Sequence, residues 1–501
     1  MRKRFFIPLS IALALSLGLG ACQKESEIYN SVETPEAFNT LEDVDNAVVG
    51  LYYELGTYHF YGRNVVATGD MCGRLAIASP SSGHFVAMNR YSFSPETRDL
   101  SQMWNAGYTI ISNSVRALRA GKEHLAQLNA ITDTLREVEK AQGLCQMYAD
   151  ISQAYGLRAL AEFTLLNLFA PIYQGHGDDM GIVLLPETTP LEKFAHVTRA
   201  SVADSYASVL DNIDKALDNY NQYLQYVGIC RRLGAASPFT FNAKYLNKAA
   251  LYALRSRVLL YMDDYAGCIA AGLEALKEQE VSIGDPAVTG DVYLKMWSSL
   301  AANETEHIFF IAKSEADNLS ANALNTLYGS YNGSVRGIYN KTVFPDASKD
   351  VRYSLIGNNG GRVPAQPLKW AGIPGSQATS NIPVFRTSEV MLNLAESYLM
   401  TGDLAKAGDC VFYTAQRNSN VTRAAIPAAS PQLMAFIRME RIRELFAEGF
   451  DFFDLRRWKR EIKKGGDTYD LGNFAFPIPS SEINAGYGVV QNPLPLWSKK
   501  P

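Results

Sequence analysis

Cysteine is scarce and unpatterned in this 501-residue chain: Cys22, Cys72, Cys145, Cys230, Cys268 and Cys410, with no CxxC spacing. That excludes a zinc ribbon and a recognisable disulfide framework, so buried free thiols are expected. Histidine is equally sparse, at positions 59, 84, 124, 176, 196 and 307, with no HxH or HxxxH spacing, and no transition-metal cluster is expected. The oxygen-rich turn Gly175-His176-Gly177-Asp178-Asp179 lacks the pattern of a calcium-binding loop and reads as a polar turn. There are 37 glycines but none in a Walker-type phosphate cradle, so no nucleotide site or other cofactor is expected. Lys and Arg total 47 against 51 Asp and Glu, without a basic cluster, which argues against nucleic acid. No Gly/Ser/Pro-rich linker or charge run divides the chain.

What is present begins at the N-terminus. Arg2, Lys3 and Arg4 precede an apolar run of about 16 residues, short of the roughly 20 that a spanning helix needs. A basic start, a short apolar core and small residues before a cysteine describe a secretory signal peptide. Leu19-Gly20-Ala21-Cys22 resembles the bacterial lipobox, in which the cysteine thiol receives a diacylglyceryl group and becomes the mature terminus. Residues 1–21 are therefore expected to be removed, Cys22 to be lipidated, and the polar stretch to about residue 31 to act as a tether. Each buried methylene of such an anchor contributes about 0.8 kcal/mol. Removing the leader takes three basic residues away and leaves the mature chain more acidic still.

Helical periodicity dominates both ends of the remainder. Residues 41–55 follow Thr40, a good N-cap, and residues 99–120, 131–168 and 201–224 carry apolar positions at helical spacing. Two later segments, 250–276 and 390–417, each read as a helix pair, turning at Asp263-Asp264 and at Gly402-Asp403. Ala395, Tyr398, Gly402, Asp403 and Ala407 fit half of a tetratricopeptide-type repeat, in which small residues let paired helices approach. The fold class is all-α: an α/α superhelix of tetratricopeptide-like pairs. Residues 56–95 and 281–382 are different, rich in Gly, Asn, Ser, Pro and aromatics. They are expected to form a loop-rich ligand-binding portion on a single body spanning 22–501.

Within those regions Tyr91, Phe93, Trp297 and Tyr331 are the leading candidates for aromatic ligand contacts, with Tyr58, Tyr61 and Trp370 behind them. Asp70 and Arg74 are the candidate polar readers. Trp104 and Trp458 sit inside helical patterns and read as core.

The densest constellation is IRMERIRELFAEGFDFFDLRRW, residues 437–458. On a helical wheel Met434, Ile437, Ile442, Leu445 and Phe446 make an apolar arc with Arg438 near its middle and Arg441 near its edge. A core-facing arginine keeps its charge and needs acidic or carbonyl partners. Glu440, Glu444 and Glu448 stand at i, i+4 spacing and Asp454 follows, so a local ion-pair network is expected. Catalysis by these carboxylates is disfavoured, because adjacent arginines hold them ionised.

This segment closely resembles the C-terminal signature of the SusD/RagB family. Other matches follow in the family's order: Trp104, Tyr108, Ile111 and Asn113; Arg158, Ala159 and Phe163 before Pro171; Asp350-Val351-Arg352; Lys369-Trp370. Arg386, Glu389, Leu392, Ala395 and Glu396 continue the series, and Phe476-Pro477-Ile478-Pro479, Glu482-Ile483 and Gln491-Asn492-Pro493 close it. Asp451 departs from the pattern, standing where the family often has arginine, and so does the tail from Leu494. The resemblance implies a non-catalytic, lipid-anchored protein on the outer face of the bacterial outer membrane. Such a protein captures oligosaccharides and passes them to a SusC-like TonB-dependent transporter. A peptide or protein-derived nutrient is the alternative cargo, and a surface glycosidase is a third reading.

Overall fold

A computed structural model of the chain describes residues 38–187, 197–298, 306–335, 342–359, 363–373, 376 and 378–500. The expected signal peptide, Cys22 and the tether lie outside them. Helix α1 (Leu41–Leu55) starts where the sequence places it. The Thr40 hydroxyl accepts from the Asp43 amide, and the Asp43 carboxylate accepts from the Thr40 amide, closing a capping box. Short α2 (Asn64–Met71) and α3 (Val86–Arg90) lie within the first irregular region. Three long helices follow: α4 (Arg98–Asn129), α5 (Glu137–Phe169) and α6 (Val202–Arg232). At 1.5 Å per residue each spans about 45–50 Å.

Helix α5 packs between α4 and α6 and also touches α1, so almost every residue from Ala149 to Leu166 is buried. A helix covered all round shows no polar stripe, whereas α4 keeps one apolar face. The sequence expectation differs at three ends, the first being α4, which runs nine residues past 120 to Asn129. Residues 131–136 form a loop and a short 3-10 turn, capped by Asp133 accepting from the Leu135 amide. Helix α6 runs past residue 224 because Tyr223 and Cys230 pack on Cys145 and Ala149 of α5.

The helix pairs α7 (Lys248–Tyr261) with α8 (Tyr265–Glu278), and α11 (Thr387–Met400) with α12 (Leu404–Ala415), turn by one device. A residue with positive φ, Asp263 or Gly402, reverses the chain, and an aspartate then caps the second helix. Asp264 accepts from the Gly267 amide, and Asp403 from that of Lys406. The pairs stack α8 on α11, and a Cβ at Gly272 would stand 2.8 Å from Leu394 Cδ2. Among the described residues no helix is long and apolar enough to cross a membrane.

Between the pairs, the second irregular region holds α9 (Gly290–Lys295) and α10 (Leu324–Tyr328). It leaves the helical body through β1 (His307–Ile311) and returns through its antiparallel partner β4 (Ile382–Arg386). A second hairpin, β2 (Ile356–Asn359) with β3 (Val363–Pro367), lies inside it. Helices α13 (Ser430–Leu445) and α14 (Asp451–Arg457) and the hairpin of β5 (Glu461–Lys464) with β6 (Asp467–Asp470) complete the frame. Cys72, Cys145, Cys230, Cys268 and Cys410 are buried free thiols.

Candidate functional site

Two groups of polar residues draw on the irregular regions: a buried charge network and a surface cluster. The network is built on α13 and the break after it. Residues 437–458 are not one helix: α13 stops at Leu445, Ala447 takes φ 62° and Gly449 φ 83°, and α14 then begins. The Trp370 indole N–H donates to the Ala447 carbonyl and holds that turn. The break swings Glu448 inward beside Glu440 and Glu444, and apart from Arg443 on Glu440 their partners are remote in sequence. Arg352 meets Asp350, Glu440 and Glu444; Arg386 meets Glu306, Glu444 and Glu448; Arg417 meets Glu306 and Glu444; Lys369 meets Glu448. A second group pairs Arg441 with Asp454, and Arg457 with Asp454 and Glu396. The scattered motifs Asp350-Val351-Arg352, Lys369-Trp370, Arg386 and Glu396 are thus pieces of the same ionic framework. Burial alone would raise Glu444, but Arg417, Arg386 and Arg352 outweigh it and hold the carboxyl well below its usual range. Such a group is a fixed anion, with no proton to exchange near neutrality.

Arg438 corrects the helical-wheel expectation. It is Arg441 that turns into the core, while Arg438 is half-buried with its guanidinium over the Trp458 ring, 4.9 Å from the centroid. Its Nε has no hydrogen-bond partner. Helix α14, which follows the turn, supplies Asp454 as the partner of Arg441. Arg438→Met should therefore change unfolding free energy by less than about 1 kcal/mol, the range of a partly exposed cation–π contact. Urea unfolding followed by circular dichroism reads this directly.

The surface cluster forms where the two irregular regions meet. Ile77 and Ser334 make an antiparallel bridge, and the Tyr328 hydroxyl donates to Asp70 Oδ2 at 2.9 Å. A Cβ on Gly69 would fall 1.9 Å from the Gly449 carbonyl oxygen, so only glycine permits that approach of α2 to the turn before α14. Beside this joint His84 stacks on Tyr331, centroids 4.0 Å apart and planes 11° from parallel, both rings half-buried. Arg63 lies under Tyr58 at 4.9 Å and beside Phe85 at 5.4 Å. Its Nη1 donates to Asn322 Oδ1 at 3.1 Å and its Nε to Asn64 Oδ1 at 3.0 Å, and Asn64 in turn donates to Gln102. Burial, then Arg63, lowers both His59 and His84, which keeps the rings neutral near pH 7. On the far side of the Tyr331 loop runs a polar groove of about 1560 Å³, lined by Asn325, Thr326, Ser330, Asn332 and Gln366 among others.

Of the residues singled out in the sequence, Tyr331 and Tyr58 stand on this platform. Tyr91 and Phe93 are buried against Tyr469, Phe474 and Phe476, and Trp297 against Trp370 and Lys369. None of these three presents a face to a ligand, because an aromatic-rich irregular segment builds a core of its own. Asp70 is 3% exposed and serves the joint, not the surface. Arg74 is partly exposed but pairs with Asp451, the residue that departs from the family pattern. Tyr61 lines a small pocket with Arg257, Tyr261 and Phe450, and there Arg257 is already neutralised by Glu389. Tyr58 belongs to the cluster; Trp370 is buried. His84, Arg63 and Asn322 were not singled out. The dense run Tyr58-His59-Phe60-Tyr61-Gly62-Arg63 is the signal that could have found the first part of the cluster.

Comparison with known proteins places this geometry. The SusD family model matches residues 325–497. The SusD-like protein P2 of Formosa agariphila is 26% identical over 163 residues, which span 32% of this chain and 29% of that relative, well under two thirds of its length. A SusD superfamily protein from Bacteroides vulgatus superposes with a TM-score of 0.73 at 25% identity, covering 91% of this chain and 99% of the other. A putative sugar binding protein from the same species gives 0.75 at 23%, again over 91% and 99%. A SusD superfamily protein from Bacteroides thetaiotaomicron gives 0.73 at 21%, over 91% and 100%. The family match over residues 325–497, which carry most of the charge network, and a shared helical fold over nine tenths of the chain agree with the motif order: the C-terminal third is similar to the SusD family, and the fold is that of SusD superfamily structures.

Proposed function

We propose that the protein is a lipid-anchored nutrient binder on the outer face of the outer membrane. It captures oligosaccharides at the Tyr58–Arg63–His84–Tyr331 surface and hands them to a SusC-like TonB-dependent transporter. The observation that carries this reading is the stacked, half-buried His84–Tyr331 pair flanked by Arg63 and Asn322. Flat ring faces pack on the C–H surface of a sugar at small ordering cost, and planar donors and amides read its hydroxyls. The solved relative described as sugar binding shares the fold. A hydrolytic role requires two opposed carboxylates about 5–9.5 Å apart. The charged groups acting on His84 are Arg63, Asp99 and Arg98, so Asp99 is the single acid among them.

Calorimetry against panels of oligosaccharides and peptides tests the reading. Tyr331→Ala is expected to weaken glycan binding about tenfold, roughly 1.4 kcal/mol, with unchanged melting. Peptide binding without glycan binding would assign the other cargo, and turnover of a glycan would restore the enzyme. The anchor is tested separately by the mass of the mature N-terminus, and the transporter by co-purification from outer membranes.

A further inference from the structure

We propose that the sugar taken at this surface is acidic: an oligosaccharide carrying carboxylates, one of which docks on Arg63. The inference rests on the binding reading above and adds the charge of the cargo.

Its basis is the exceptional state of Arg63 among the buried arginines. Those of the two ionic groups, together with Arg158 and Arg257, each touch a carboxylate. Arg456 has no carboxylate partner but points inward and donates to the backbone carbonyls of Asn167, Ala170 and Phe474. Arg63 is 5% exposed, yet no carboxylate among the described residues lies within ion-pair distance. Its two bonded nitrogens, Nε and Nη1, reach amide oxygens, which orient the guanidinium without neutralising it. Nη2 has no protein hydrogen-bond partner among the described residues.

The surroundings compensate that charge only in part. Arg98 is exposed nearby, and the one acid that acts on the cluster, Asp99, faces both arginines. A desolvated cation without a counterion is costly unless a ligand supplies one. A planar carboxylate suits a guanidinium held in place on two of its nitrogens, and the Tyr331–His84 faces would take the ring that bears it. A neutral sugar would leave the charge unmatched.

The test is calorimetry at 50 mM NaCl with matched pairs: oligomers of galacturonate, glucuronate and mannuronate, each against its neutral hexose counterpart. At least one acidic member is expected to bind about tenfold or more tighter than its neutral partner. That advantage should shrink severalfold at 500 mM NaCl, as screening requires, while neutral binding stays level. Arg63→Gln should remove most of the preference; Arg98→Gln, on an exposed side chain, should reduce it without touching the fold. Equal or tighter binding of the neutral members overturns the acidic assignment and leaves oligosaccharide capture standing. If no acidic member binds the wild type, the assignment fails as well. Binding of peptides alone defeats oligosaccharide capture itself.

Discussion

Arg386→Met is expected to destabilise the protein by about 3–5 kcal/mol, the loss seen when one partner leaves a buried ionic group. The guanidinium gives Nε and Nη2 to Glu448 at 2.8 Å each and Nη1 to Glu444 at 3.0 Å, and it also meets Glu306. Around it five cations (Arg352, Lys369, Arg386, Arg417 and Arg443) face five carboxylates (Asp350, Glu306, Glu440, Glu444 and Glu448). Removing one cation leaves an unmatched anion in an interior that Trp297 and Tyr293 close off. The effect should be pH-dependent. The folded value of Glu444 is depressed, so its stabilisation is complete above its ordinary carboxylate value and is lost only as pH falls through the folded value. Arg386→Met weakens that depression, and acid unfolding should begin at higher pH than in the wild type. Urea titrations from pH 7 down to pH 3 measure both effects. The double variant Arg386→Met with Glu448→Gln should recover part of the loss, because it removes the orphaned charge as well. A melting temperature within a degree of wild type for Arg386→Met would mean the network holds nothing together.

The elements whose sequences carry their own local instructions were legible. Thr40 with Asp43 marks the start of α1, and the positive-φ residue followed by a capping aspartate marks both helix-pair turns. Legibility fails where the deciding partner is remote. Helix α5 shows no stripe because three neighbours cover it, and the 437–458 segment conceals a helix break held by remote partners, Trp370 on the Ala447 carbonyl and Gly69 against Gly449. The choice of Arg441 over Arg438 as the inward residue follows from that break. The surface cluster was least visible of all. Arg63, His84 and Asn322 come from three segments brought together by one bridge, and no periodicity links them. Aromatic richness pointed to the regions that meet at this cluster but not to which rings stay accessible, since burial is decided by what packs on each ring.

Asp70→Asn should remove a loss of stability that the wild type suffers on the alkaline side. Burial raises the Asp70 carboxyl to about 7, against 3.8 for the free side chain, only partly offset by hydrogen bonds from the Tyr328 hydroxyl and the Gly449 amide. Asp451 and Glu448 face it from the α14 side and raise it further. A folded value above the unfolded one means that the native state holds the proton longer. Stability from this group is complete below pH 4 and is lost as pH rises through about 7, by roughly 4 kcal/mol in total. Between pH 5 and pH 8 the wild type should therefore lose roughly 2–3 kcal/mol relative to Asp70→Asn. The variant retains a neutral acceptor for Gly449 or Tyr328 and carries no charge to be expelled. Parallel stability curves for the two proteins across that range would show that Asp70 does not titrate there. The position gives the result its weight: Tyr328 lies three residues before Tyr331, and its hydroxyl and the Gly449 amide both donate to Asp70, so this one carboxyl ties the turn that carries the aromatic pair to α2 and the turn before α14.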